Sequence, residues 1–168
     1  MSPESALPSV PRPILLPEAP VLFAGRRDAV WLTPDGEIAT LTRAAAAREA
    51  VLTRPIVCHA PATARRLGID RFAAFDLLEL FAFVQPARST LPTPQGLAAA
   101  LGLAAPDNLE DCALTLIDAA RRLLEILAES GTPANRSSDS AAAIAAAMAR
   151  FGWPWAPAVL AALGKPLP

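Results

Sequence analysis

The strongest constraint on the fold of this chain lies between Asp107 and Glu129. There Leu109, Ala113, Leu116, Ala120, Leu123, Leu124 and Leu127 recur at the three- and four-residue spacing of a single helix face. Glu110, Asp118, Arg121, Arg122 and Glu125 lie largely off that face. The spacing predicts a long amphipathic helix, and a helix with one apolar stripe has to be laid against a second layer. The chain has 168 residues, enough to bury a sizeable core. Its 53% hydrophobic content includes 38 alanines, which favours helices and close packing over oiliness.

The second layer is predicted from the amino-terminal third. Val21–Ala24 and Ala29–Thr33 read as short strands. Pro34-Asp35-Gly36 supplies turn chemistry, and Glu37–Thr42 alternates apolar and polar residues, so a hairpin is expected. Thr42 can cap a helix over 43–52, and Pro55–His59 has the β-branched, continuously apolar look of a buried central strand. Helices are predicted over 60–67, with Gly68 past its end; over 71–84, capped by Asp70; and over 95–101, after Thr93. Residues 1–19 read as a Pro-rich extended arm, 20–130 as an α/β domain, 131–140 as a polar linker, and 141–168 as a helical extension.

Composition removes several chemistries. A net charge of −1 excludes a strongly basic, histone-like binder while leaving room for local basic patches. There is one histidine, His59, and no tyrosine. Cys58 and Cys112 stand alone in apolar runs and read as buried free thiols, so neither a disulfide framework nor a structural zinc site is expected. No Gly-x-Ser-x-Gly elbow and no phosphate-binding glycine loop occurs, so the chain has no visible means of holding ATP. No apolar window free of proline and charge reaches the ~18 residues of a membrane span. With no signal-peptide pattern either, the chain reads as cytoplasmic, without a membrane partner.

Carboxylates are the remaining candidates for catalysis. Two-metal phosphodiester chemistry needs several of them converging on cations ~4 Å apart. Asp35 and Glu37 on the hairpin, Asp76 and Asp118 are the residues available, though each also has an ordinary role as a turn, strand, helix-start or ion-pair residue.

The stretch Pro55-Ile-Val-Cys-His-Ala-Pro-Ala-Thr-Ala-Arg-Arg-Leu-Gly resembles the second motif of DEDD-type 3′–5′ exonucleases, in which a strand ends in His-Asn ahead of a metal-binding Asp. Phe75–Leu80, Thr93–Leu103 and Asp111–Leu124, with Asp118-Ala119 in an Asp-Ala slot, resemble the segments that follow. The departures are specific. Ala60 stands in the Asn slot, Ala64 in the second-motif Asp slot and Ala113 in the last-motif His slot, while Thr33-Pro34-Asp35 would replace the first Asp-x-Glu. The resemblance therefore implies a degenerate ribonuclease-H-like layer with no catalytic residue and no metal, leaving Asp35, Glu37, His59, Asp76 and Asp118 as remnants.

A closer resemblance covers most of residues 20–160. Asp76–Ala87, Pro92–Leu103 and Trp153–Pro157 are similar to the N-terminal region of alphaproteobacterial DinG-like ATP-dependent DNA helicases. This implies a non-catalytic accessory domain that positions DNA or docks on the helicase core. ATP and Mg would belong to that core, expected beyond this chain. Partners would be the core and single-stranded DNA, with Arg65, Arg66, Arg88, Arg121 and Arg122 as candidate phosphate contacts, joined by Arg71. Trp31, Trp153 and Trp155 are the candidate stacking rings, although the Trp153-Pro154-Trp155 turn is expected rather to cap the core or dock on the next domain. Two other readings stay open: an active metal-dependent 3′–5′ exonuclease, and a stand-alone protein-interaction domain.

Overall fold

The computed structural model describes residues 13–130 and 136–167. It is a mixed α/β structure whose five strands are ordered β3-β2-β1-β4-β5. β1 (Val21–Ala24), β2 (Asp28–Leu32) and β3 (Ile38–Thr42) form an antiparallel meander. β4 (Ile56–Val57) and β5 (Phe75–Asp76) continue the sheet on the other side of β1, both parallel to it. The β2–β3 turn uses Pro34 early. Gly36 N–H donates to the Thr33 carbonyl at 2.9 Å, with Gly36 at φ +91°, where a side chain would be strained.

Helices cover both faces, as parallel strands require. On one face α1 (Arg43–Leu52) and α2 (Ala60–Leu67) bury Leu22, Ala24, Ala29 and Val57 with Ala46, Ala50 and Leu67. On the other, α3 (Leu77–Val84), α4 (Pro94–Leu101), α5 (Leu109–Ser130), α6 (Arg136–Arg150) and α7 (Ala156–Ala162) enclose Val21, Val30, Leu32 and Ile56. The alternation of Val21 and Leu22, or of Ile56 and Val57, between the two cores is the period of a strand expressed in burial. The long predicted helix is α5, and the residues of its stripe from Ala113 to Leu127 are buried; Leu109, at its start, is partly exposed.

Four expectations need correction. The helix expected over 71–84 begins only at Leu77, because Phe75 and Asp76 pair with Ile56 and Val57 as a strand. Asp76, not Asp70, caps it, accepting from Leu78 N–H at 2.9 Å and Glu79 N–H at 3.4 Å. The expected central strand at 55–59 is a two-residue strand one place from the edge, and β1 takes the centre. Finally, α6 starts at Arg136, inside the polar stretch read as a linker; residues 131–135 lie outside the described residues.

Of the expected arm, residues 1–12 also lie outside the described residues; 13–19 have no regular structure, yet Ile14 and Leu16 rest against the core and Ala19 is buried. The C-terminal helices are fastened to the same core. Trp155 is fully buried, donates its indole N–H to the Asp76 carbonyl at 2.8 Å and meets the Phe75 ring edge-on at 5.2 Å.

Candidate functional site

The directions of the strands decide which residues can meet. β1, β4 and β5 run the same way, so His59, just past β4, and Asp76, at the end of β5, emerge together at the carboxyl end of the sheet. His59 Nδ1 faces Asp76 Oδ2 at 3.3 Å. The carboxylate can only accept, so the contact keeps the proton on Nδ1. The same Oδ2 accepts from Ala60 N–H at 2.7 Å, while Oδ1 takes the first amides of α3. Asp76 is thus a buried clasp that binds the starts of α2 and α3 to each other.

Beside the clasp lies an open groove of about 540 Å³, bordered by His59, Arg71, Phe72, Asp76, Leu78 and Glu79. Glu79 accepts from the Trp153 indole at 3.2 Å. Burial, and then the charge of Asp76, push the Glu79 carboxyl above its ordinary range, with the Trp153 hydrogen bond opposing.

The other expected site residues are placed elsewhere. Asp35 and Glu37 sit in the β2–β3 turn, beside Leu32, which pairs with Val21 at the amino end of β1. They are at the opposite end of the sheet from His59, and β3 is three strand spacings, roughly 14 Å, from β4. Asp118 faces outward on α5 and pairs with Arg121 at 3.0 Å. Among the described residues, no group of three or more His, Cys, Asp or Glu side chains could hold a metal ion. Cys58 and Cys112 are buried free thiols, as expected; burial pushes Cys58 up to about 12 and Cys112 in the same direction.

The candidate arginines divide in two. Arg122 bridges Glu125 and Glu129 on its own helix, and Arg88 is spent on Gln85 and the Ala100 carbonyl. Together with the Arg121–Asp118 pair, these are neutralised or locally engaged. Arg66 behaves differently. It reaches to the end of β1, donates Nη1 to the Ala24 carbonyl at 2.6 Å and lies 6.0 Å from the centre of the Phe23 ring. Arg65 beside it is exposed.

Sequence reasoning missed the rest of this cluster. Arg26 and Arg27 form the exposed β1–β2 turn, and Arg43 Nη2 donates to the Arg26 carbonyl. Arg26, Arg27, Arg43 and Arg66 therefore rim one end of β1, with Asp28 the acidic residue of the same turn. The signal available in sequence was Gly25-Arg26-Arg27-Asp28 itself, a basic turn between two strands.

The tryptophans do not offer a stacking platform. Trp153 and Trp155 are buried, with Trp153 5.0 Å from Phe83, and Trp31 is half-buried against the α1 face. This is the core-capping role expected of the Trp153-Pro154-Trp155 turn. No helix among the described residues is long and apolar enough to cross a membrane. Comparison with family models finds none that matches, and comparisons with curated proteins and with solved structures likewise find no match.

Proposed function

We propose that this chain is a non-catalytic, ribonuclease-H-like accessory domain of a DinG-like ATP-dependent DNA helicase, acting in the cytoplasm to hold single-stranded DNA beside the motor. The observation that carries this reading is the arginine rim at the carboxyl end of β1. It concentrates cationic side chains on a chain whose net charge is only −1. Such a rim suits a phosphate backbone. The antiparallel meander extended across β1 by two parallel strands supports the ribonuclease-H-like half of the reading. The non-catalytic half is supported by how the remnants are occupied: Asp76 clasps two helices, Asp118 pairs with Arg121, and Asp35 and Glu37 lie at the far end of the sheet. ATP and Mg would act in the helicase core, whose phosphate loop is not encoded in residues 1–168.

Fluorescence anisotropy with labelled oligothymidine tests the proposal. Binding is expected to weaken by about tenfold or more between ~50 and ~200 mM salt. Glu substitutions at Arg26, Arg27 and Arg66 should weaken it further, whereas Glu at Arg121 and Arg122 should change it little. Absence of salt-dependent binding overturns the DNA-holding role. Metal-stimulated digestion of the oligonucleotide, lost in Asp118→Asn, would replace it with the exonuclease reading.

A further inference from the structure

β3 is the outer strand of the sheet, and among the described residues no other strand pairs with its outer side: Ile38, Ala39, Thr40 and Thr42 are exposed, and Leu41 is half-buried. The opposite edge, β5, is two residues long and is sealed by Trp155 against Phe75. β3 has no such protection. Ile38-Ala39-Thr40-Leu41-Thr42 contains no charge, proline or glycine, and its register against β2 is unbroken by a bulge. Open edges of this kind are templates for another strand.

The phase of the ladder shows which backbone groups are open. Thr33 N–H donates to the Glu37 carbonyl at 2.9 Å, which marks Thr33 and Glu37 as a hydrogen-bonded pair. Antiparallel pairs alternate, so Ala39 and Leu41 are bonded to β2, while the N–H and C=O groups of Ile38 and Thr40 point away from it, as does the N–H of Thr42, whose carbonyl opens α1. The Gly25 N–H to Asp28 carbonyl bond at 2.9 Å gives the same phase from the other side, with Asp28, Val30 and Leu32 bonded toward β1.

We propose that β3 pairs antiparallel with β3 of a second copy of this chain about a two-fold axis at Thr40, joining two sheets into one. In this register the Thr40 N–H and C=O groups of the two copies bond each other, and each Thr42 N–H meets the Ile38 carbonyl of the other copy. Thr40 meets Thr40 of the second copy, and Ile38 meets Thr42. The same register sets Glu37 of each copy opposite Arg43 of the other, at the two ends of the uncharged strand. A strand framed by an acid and a base at equal distances from its middle is self-complementary only in the antiparallel sense. Both residues are exposed, and Arg43 keeps donors free beyond the one given to the Arg26 carbonyl. A contact limited to one strand pair is small, so the dimer forms by mass action at high concentration.

Sedimentation equilibrium of the full chain, from about 1 μM to about 1 mM, should show the mass rising from 17.5 kDa toward twice that value. Thr40→Pro removes an amide that makes no bond within the sheet and blocks the edge, so it should stay monomeric with an unchanged far-ultraviolet spectrum. Glu37→Arg and Arg43→Glu should each weaken dimerisation when alone. Mixed together they should form a heterodimer, because both cross-axis pairs are then opposite in sign. That restoration also shows that both variants are folded. A monomer throughout the concentration range overturns the proposal. So does a dimer that survives Thr40→Pro or is indifferent to the charge exchange, since it would use another face.

Discussion

The two halves of the sheet are built on different principles. The meander β1–β2–β3 is continuous in sequence, joined by short turns, and held by a ladder paired at every residue of β2. The parallel half consists of two residues in each of β4 and β5, reached through helical crossovers. So little backbone pairing cannot fix two strands alone. Here side chains do the fastening: Asp76 ties β5 to the starts of α2 and α3, and Trp155 closes over Phe75 and bonds the Asp76 carbonyl from a position 79 residues away. Short-range strands can rely on the backbone, whereas long-range ones depend on a few buried contacts.

If that contrast holds, damage should be greatest in the parallel half. Trp155→Ala removes the largest fully buried side chain and leaves the Asp76 carbonyl without its indole partner. It should cost about 4 kcal/mol, read from urea unfolding. A loss below about 1 kcal/mol would mean that the C-terminal helices are not needed to hold β5.

Next come two caps that differ only in context. Asp76→Ala strips a buried acceptor from the amides of Ala60, Leu78 and Glu79 and should cost about 3 kcal/mol. Thr42→Ala removes the exposed cap of α1, which accepts from Ala45 N–H at 3.2 Å, and should cost about 1 kcal/mol. Equal losses would erase the distinction between the halves.

The smallest effect concerns pH. Glu79 titrates above the ordinary carboxylate range in the folded chain, so the folded state binds its proton more tightly than the unfolded state does. Its contribution to stability is therefore complete at low pH and is lost as pH rises from the unfolded value through the raised folded one. Glu79→Gln keeps an acceptor for Trp153 and removes the titration. The melting temperature of the variant should gain on the parent as pH rises through that window, and parallel curves would reject the assignment.

How far the sequence could be read follows the same division. Thr42 as a cap, Gly36 in its turn, Gly68 at a helix end and the stripe of α5 are local or strictly periodic features, and each stands where reading along the chain puts it. Phe75 and Asp76 read as helix because their neighbours are apolar all round. Only the pairing with Ile56 and Val57, distant in sequence, makes them a strand. The candidate site was legible in part. His59 and Asp76 do meet, but Asp35, Glu37 and Asp118 share only a residue type with them, and strand direction carries those three elsewhere.

The sequence by itself determined an α/β layer, the hairpin, the long helix and the lack of any phosphate-binding loop, because periodicity, capping and turn chemistry act within a few residues. Tertiary structure alone decided that β1 is the central strand, that Asp76 is a clasp, and that Arg66 joins Arg26, Arg27 and Arg43 on one rim while Arg121 and Arg122 are matched by carboxylates on their own helix. Those outcomes depend on which distant segments run parallel and on which end of the sheet each side chain reaches. No local pattern encodes either.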